Sequence, residues 1–494
     1  MTESLRQEQL TPIDNDFDTK ICAGLYEGLR NQKDPVTWRT LLVTVGSLLG
    51  VDVQWKYVPK EQTARTHALL AGLTEGTPWR PLVPEMMAGL GLISPETPRP
   101  LDLLIVSARR FGPDPLFWRL AETAQAAGIY TAAINVVGNY QDAQPRIAGL
   151  ATLLRPVKKL VFLGSTQAAD GGSMTVVENV ARLLRNPAFS SRIDEAYVTT
   201  PMIGGSRGHR LGQREDLVYE VLEMIVNPKA FGFPAKDVLR ELRKEQTLRA
   251  LVEANPVGMF KALLGQTIPK VKVVTVDIHS PELPARVFEK MGFEFISANP
   301  APEFAASIYG YLEEENLLDK PLVVVACDKG AIERAEGIAL QLLNHPKNSL
   351  HQVELLYIDK FRKQAGAVEK VTLSRRVQWK KQSDGLIKVT EMMIPSTEAP
   401  DDEEYVVILT DDMADSCLTA KKDTTLVRKC FPKAVRSIFA FTHPVLSQGV
   451  KPLDDVSVDL FIFGNTLRKG LELTARDDVV MVDLSPSILR AIGF

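Results

Sequence analysis

Tyr405-Val-Val-Ile-Leu-Thr-Asp411-Asp412-Met-Ala-Asp415-Ser416-Cys-Leu-Thr419 is the stretch whose reading decides the fold. The run Tyr405–Leu409 has strand length and no helical period. It ends in two adjacent carboxylates, Asp411 and Asp412, then a third, Asp415, and then two hydroxyls, Ser416 and Thr419, that open a helical pattern. Carboxylates crowded at the end of a buried strand cost repulsion and desolvation, so packing alone is a weak reason for them. They suit accepting hydrogen bonds from vicinal sugar hydroxyls, or facing a magnesium ion. The Asp415–Thr419 turn, leading into a helix, offers backbone amides and hydroxyls to a phosphate. The competing reading is an acidic cluster that caps the following helix.

Similar apolar runs lie on either side: Leu101–Val106, Thr131–Val137, Lys159–Leu163, Glu195–Thr199, Val271–Val276, Pro321–Ala326, Val353–Ile358, Ser437–Phe441, Leu460–Phe463 and Val479–Val482. Amphipathic segments such as Leu116–Ala127, Met174–Leu184 and Ile332–Leu343 separate several of them. Apolar strands alternating with helices predict an α/β fold with mainly parallel sheets covered on both faces. Eleven such runs overfill one open sheet, so two tandem α/β domains are expected, residues 101–300 and 301–494, joined near Asn299-Pro300-Ala301-Pro302. Residues 1–100 read as a mostly helical extension, closed by a proline-dense linker at 94–100. Residues 211–265 read as a charged helical insertion, and 375–404 as an insertion forming a solvated loop after a hairpin.

The totals fit this picture. The chain has 494 residues, 58 Lys+Arg against 61 Asp+Glu, and a formal charge of −3. A balance so close to zero gives no sustained positive field, which excludes a general nucleic-acid or membrane-surface binder. The four cysteines (Cys22, Cys327, Cys417, Cys430) form no CxxC, which excludes a disulfide scaffold and a Cys-rich zinc site. The N-terminus lacks the apolar core of a signal peptide, and nothing reaches the length of a membrane span, so a cytoplasmic location is expected.

In open α/β sheets ligands bind beyond the carboxyl ends of the strands. Reading those ends in order gives Pro201-Met-Ile-Gly204-Gly-Ser-Arg207-Gly-His209-Arg210, Val274-Thr-Val-Asp277-Ile-His279, Val323-Val-Val-Ala-Cys-Asp328-Lys329-Gly330-Ala331-Ile-Glu-Arg334-Ala335, Leu356-Tyr-Ile-Asp359-Lys360-Phe361-Arg362, the Asp411 segment, and Phe441-Thr442-His443-Pro444-Val445. Together these resemble the ribose-phosphate diphosphokinases (PRPP synthetases), a family with the phosphoribosyltransferase-type fold, over roughly residues 103–490. The family reads Asp-Asp-Met-x-Asp-Thr-x-Gly-Thr where this chain has Asp411 to Thr419, with Leu418 at the glycine. Its Pro-Asp-x-Gly-Gly diphosphate loop matches at Asp328 and Gly330, with Ala331 as the second glycine. Its Asp-Lys-Arg-Arg matches at Lys360 and Arg362, its Asp-Leu-His at Asp277 and His279, and its Thr-His-Pro-Val at Thr442–Val445. Its adenine-reading Phe-Ser-Asp-Gly-Glu segment has no counterpart; Asn139-Tyr140-Gln141-Asp142 lies near that place.

The resemblance implies two tandem phosphoribosyltransferase-like domains and a reaction with ATP, ribose 5-phosphate and Mg2+. The β,γ-diphosphoryl group of ATP would move to the sugar's 1-hydroxyl, giving PRPP and AMP. Asp411 and Asp412 would orient the ribose, and Asp415, Ser416 and Thr419 would line the 5-phosphate site. Asp328, Lys329, Gly330 and Ala331 would face the diphosphate, with Asp328 and His279 near the metal. Arg207, Arg210 and His279 would bind ATP. Lys360 and Arg362 would close over the site as catalytic cations, so that Lys360→Ala is expected to keep its melting temperature and lose AMP release. A homo-oligomer is expected, with no nucleic-acid or membrane partner. Two alternatives stay open: a non-catalytic regulatory or scaffold homologue, and a diphosphotransferase for another sugar phosphate.

Overall fold

The computed structural model describes residues 71–72, 75–76, 80–84, 99–107, 115–135, 137–139, 145–147, 155–164, 192–200, 270–278, 294–345, 352–361, 370–396, 398, 401–467 and 471–494. The readings of residues 211–265 and of most of 1–100 lie outside them, as do His279, Arg207, Arg210 and Arg362. The chain divides into two compact units. One runs to Thr275 and also holds Pro281–Ser297 and Ile492–Phe494; the other comprises Val276–Ser280 and Ala298–Ala491.

In the first unit, β1 (Leu101–Ser107), α1 (Pro115–Ala126), β2 (Thr131–Asn135), a short antiparallel pair β3 (Val137–Asn139) and β4 (Pro145–Ile147), then β5 (Val157–Leu163), β6 (Ile193–Thr199), β7 (Lys270–Val276) and β8 (Glu294–Ala298) follow in chain order. Six of these strands form one sheet in the order β2-β1-β5-β6-β7-β8, which is parallel from β2 to β7. Val273, Val274 and Val276 are buried, as a strand covered on both faces requires. Lys159 Nζ meets the carbonyl oxygens of Ile492 and Gly493, which ties the last residues of the chain to β5.

The second unit begins with α2 (Ala301–Glu314). Asn299 Oδ1 accepts a bond from the Ala301 amide at 2.9 Å, which starts the helix. Then come β9 (Leu322–Ala326), a short 3-10 turn, α3 (Ile332–Leu343), β10 (Gln352–Phe361), β11 (Lys370–Lys381), β12 (Ile387–Glu391), β13 (Val406–Ala414), α4 (Leu418–Cys430), β14 (Arg436–Pro444), β15 (Leu460–Gly464), α5 (Leu471–Thr474), β16 (Val479–Val482) and α6 (Ser485–Ala491). The eight strands form one sheet, β12-β11-β10-β9-β13-β14-β15-β16. It is parallel from β10 to β16 and antiparallel only where β11 and β12 fold back. Its core stacks Phe439, Phe441, Phe461 and Phe463 beside Val323, Val325, Leu356, Val407 and Leu409.

Each of the eleven apolar runs contains strand residues, and the architecture is the α/β fold with mainly parallel sheets. Two boundaries need correcting. Residues 375–404 are not simply a solvated loop: β11 and β12 occupy 375–381 and 387–391, and Arg376 on β11 is buried. Its guanidinium meets Glu354 at 2.7 Å and Asp401 at 2.8 Å, and this buried pairing pins the acidic segment to the sheet. The strand opened by Tyr405 also does not stop at Leu409. It continues through the acidic pair to Ala414, because Asp411 and Met413 keep regular pairing with Phe441 and His443. No helix among the described residues is long and apolar enough to cross a membrane, and Cys327, Cys417 and Cys430 are free and buried.

Candidate functional site

The carboxyl ends of β10, β9 and β13, three neighbouring strands, deliver Lys360, Asp328 and Asp411 to one place. The register explains why: Ala326 pairs with Tyr357 on one side and Thr410 on the other, so all three residues follow within a few positions of the same level. Strand pleating sends Asp411 and Asp412 to opposite faces. Their surroundings differ accordingly: Asp412 is buried, whereas Asp411 is partly accessible. Burial and the neighbouring Asp412 push the Asp411 carboxyl well above the usual range, against the pull of Lys360.

Lys360 lies within β10, not on a loop beyond it, and its side chain is 3% exposed. Nζ lies 3.0 Å from Oδ2 of Asp423 and 4.0 Å from Oδ2 of Asp328. Burial alone would lower the ammonium's pKa, but Asp411 and Asp423 more than reverse that, so it is held charged. The expectation of a cation that swings over the site is therefore corrected for Lys360. The sequence reading also missed Asp423, which sits on the second turn of α4 and is fully buried.

Asp328 caps the 3-10 turn Lys329–Ala331: Oδ1 accepts from the Ala331 amide at 3.0 Å. Lys329 and Gly330 are exposed and Ala331 is buried, so this loop presents the first two at the surface. α3 follows, and its Arg334 reaches Asp277 with Nε and a terminal nitrogen at 2.5 and 2.8 Å. Thr442 Oγ1 also donates to Asp277. His443 Nδ1 lies 2.8 Å from Thr466 Oγ1, and Nε2 lies 3.4 Å from the Asp277 carbonyl oxygen. Burial lowers the His443 pKa, so the ring is a neutral, packed element. Asp277 thus ties α3 and β14 together, with His279 beyond it outside the described residues.

Asp415 follows β13 directly. Its Oδ1 accepts from the amide of Ser447 at 3.0 Å and from its hydroxyl at 2.5 Å, which anchors the turn after β14. Cys417, at φ 56°, precedes the first turn of α4, and its own side chain makes no cap hydrogen bond. The first-turn amides of a helix can meet an anion. Thr419 is half-buried and Ser416 exposed beside them, and Leu418, 67% exposed, stands where the resembled motif has glycine.

Around the strand ends, Asp277, Asp328, Asp411, Asp412 and Asp423 lie near the cations Lys360 and Arg334. No group of three or more acidic, His or Cys side chains there has the spacing of a metal cage. The surplus of hard oxygen donors nevertheless suits magnesium, which binds through one or two carboxylates and the phosphates of its ligand.

Residues 298–475 match the family model of the phosphoribosyl transferase domain. That segment is similar to a phosphoribosyl transferase domain over its matched length. It contains Asp328, Lys360, Asp411, Asp412, Asp415 and Asp423, and leaves out Asp277. No curated protein matches the chain. Among solved structures, the chain is similar to phosphoribosylpyrophosphate synthetase from Mycobacterium smegmatis, at 15% identity over 79% of this chain and 97% of that one, with a TM-score of 0.46. It is also similar to GanP, a glucose-galactose binding protein from Geobacillus stearothermophilus, at 9% identity over 79% and 89% of the two chains, with a TM-score of 0.24.

Proposed function

We propose that the chain transfers the diphosphoryl group of Mg-ATP to the 1-hydroxyl of ribose 5-phosphate, forming PRPP and AMP. The observation that carries this reading is the meeting of Lys360, Asp328 and Asp411 at three adjacent strand ends of a segment similar to a phosphoribosyl transferase domain. The sugar's 1-oxygen attacks the β-phosphorus, the bond from that phosphorus to the α,β-bridging oxygen breaks, and AMP leaves with the bridging oxygen. The hydroxyl proton passes to solvent.

Such a transfer asks the protein for positioning and for charge complementary to the transition state. Lys360 supplies positive charge toward the departing oxygen. Asp411 accepts hydrogen bonds from the ribose hydroxyls. The first-turn amides of α4, with Ser416 and Thr419, hold the 5-phosphate, and Asp415 keeps the adjoining Ser447 turn in place. Asp328 would hold magnesium, whose charge offsets that of the phosphates. Arg207, Arg210 and His279 would bind the nucleotide, and Arg362 would add the second cation.

Leu418 favours a second reading, an acceptor other than ribose 5-phosphate, because a side chain stands where close backbone approach would need glycine. Incubation with Mg-ATP and a panel of sugar phosphates, followed by phosphorus NMR, tests both. AMP with an anomeric diphosphate from ribose 5-phosphate supports the first; AMP formed only with another sugar phosphate supports the second. No AMP with any of them rejects diphosphoryl transfer.

A further inference from the structure

We propose that Asp423 is the positioning residue of Lys360, holding its ammonium at the floor of the site so that the cation is a fixed part of the fold. The inference deepens the proposed function and rests on it for its kinetic half; its structural half stands alone. α4 opens immediately after the acidic motif, and its inward face carries Ala420, Asp423, Thr424 and Val427, all buried. An aspartate in that row is out of place in a packing face unless something compensates it. The compensation comes from β10: Lys360 Nζ at 3.0 Å is the one cation within ion-pair distance of Asp423 among the described residues.

Two carboxylates lie near the ammonium: Asp423, fully buried, at 3.0 Å, and Asp328, partly accessible, at 4.0 Å. A ligand arriving from solvent can therefore reach Asp328, whereas Asp423 is out of its reach. A lysine stem has four rotatable bonds, and its freedom must be lost before the ammonium can serve a transition state. Pairing with a carboxylate on a helix removes that freedom during folding, before substrate arrives. The same helix begins with the turn proposed to hold the 5-phosphate, so one rigid element sets the spacing between anion site and cation.

The test uses the full chain as wild type and as Asp423→Asn. Reductive methylation of lysines, followed peptide by peptide by mass spectrometry, reads the accessibility and basicity of Lys360. Lys360 is expected to react at least tenfold more slowly than the exposed Lys421 and Lys433 in wild type, and at least fivefold faster in Asp423→Asn than in wild type. Equal Lys360 rates in the two proteins would overturn the pairing. If Asp423→Asn does not fold, Asp423→Ala combined with Lys360→Met decides: recovery of folding when both charges are removed supports the pair, and continued unfolding rejects it. For the kinetic half, kcat for AMP release is expected to fall at least tenfold in Asp423→Asn, with KM for ribose 5-phosphate within threefold. An unchanged kcat would remove the positioning role. A wild type inert toward every sugar phosphate would reject the proposed function while the methylation result still judged the pair.

Discussion

Arg334 grips Asp277 through two parallel bonds, Nε to Oδ2 at 2.5 Å and a terminal nitrogen to Oδ1 at 2.8 Å. The planar fork matches a carboxylate in a way an ammonium cannot. Asp277 needs that hold, because its φ of 46° places it in the left-handed region that non-glycine residues seldom occupy. Arg334→Met is therefore expected to cost about 3 kcal/mol, the usual penalty for stranding one member of a buried pair. Arg334→Lys should recover less than half of the loss. Urea unfolding measures both, and a Met variant within about 1 kcal/mol of wild type would show that the fork contributes little.

Lys360 carries a different consequence from the one its motif suggests. A cation on a mobile loop can be removed without harm to the fold, but this one neutralises a buried carboxylate. Lys360→Ala should therefore lose both turnover and stability, by about 3 kcal/mol. A melting temperature equal to wild type would show that the ion pair with Asp423 does not form in solution.

The pH dependence follows from Asp423. Burial lifts its carboxyl to about 6 even though Lys360 pulls the other way, with Cys327 and Asp328 at the end of β9 as further neighbours. In the unfolded chain an aspartate titrates at about 3.9, so between these values the folded protein binds more protons than the unfolded one. The contribution of this group is complete below the unfolded value and is lost as pH rises through about 6. Asp423→Asn cannot titrate, so it should gain on wild type by about 2 kcal/mol between roughly pH 4 and 6.5. Chemical denaturation at three pH values measures this; a constant difference would mean that Asp423 titrates normally.

Asp415 separates binding from chemistry. Its carboxylate holds the Ser447 turn. Under the proposed function, Asp415→Ala should raise KM for ribose 5-phosphate by about tenfold, or ~1.4 kcal/mol. Asp415→Asn keeps an acceptor oxygen and should change it far less, with kcat near wild type in both. A fall in kcat at constant KM would place Asp415 in the reaction itself.

The residues legible in the sequence and those that were not differ in a physical way. Strands such as Leu322–Ala326 and Leu460–Gly464 are buried at every position, so composition and length announce them. Asp328, Lys360 and Asp411 were legible because they follow such runs directly, where the fold places ligands. Asp423 was not: within Lys421-Lys422-Asp423-Thr424-Thr425 it reads as part of a solvated helix face, and only the packing of α4 shows it is buried. Glu354 and Arg376 were hidden for a similar reason. Each looks like a surface charge until the antiparallel return of β11 sets them side by side. Asp415 was noticed, but its partner Ser447 lies 32 residues away, a distance across which local pattern says nothing.

The division of the chain bears on how it can be cut. The segment that matches the domain family begins at residue 298, yet the second unit also needs Val276–Ser280, which the ribosome makes before it. A fragment started at 298 would carry Arg334 and Thr442 without the carboxylate both of them bind. One stopped at 475 would lose β16 and α6 as well. The unit is therefore not portable as a cassette: a boundary placed by sequence similarity runs between two halves of one ion pair, and any excised version must bring residue 277 with it.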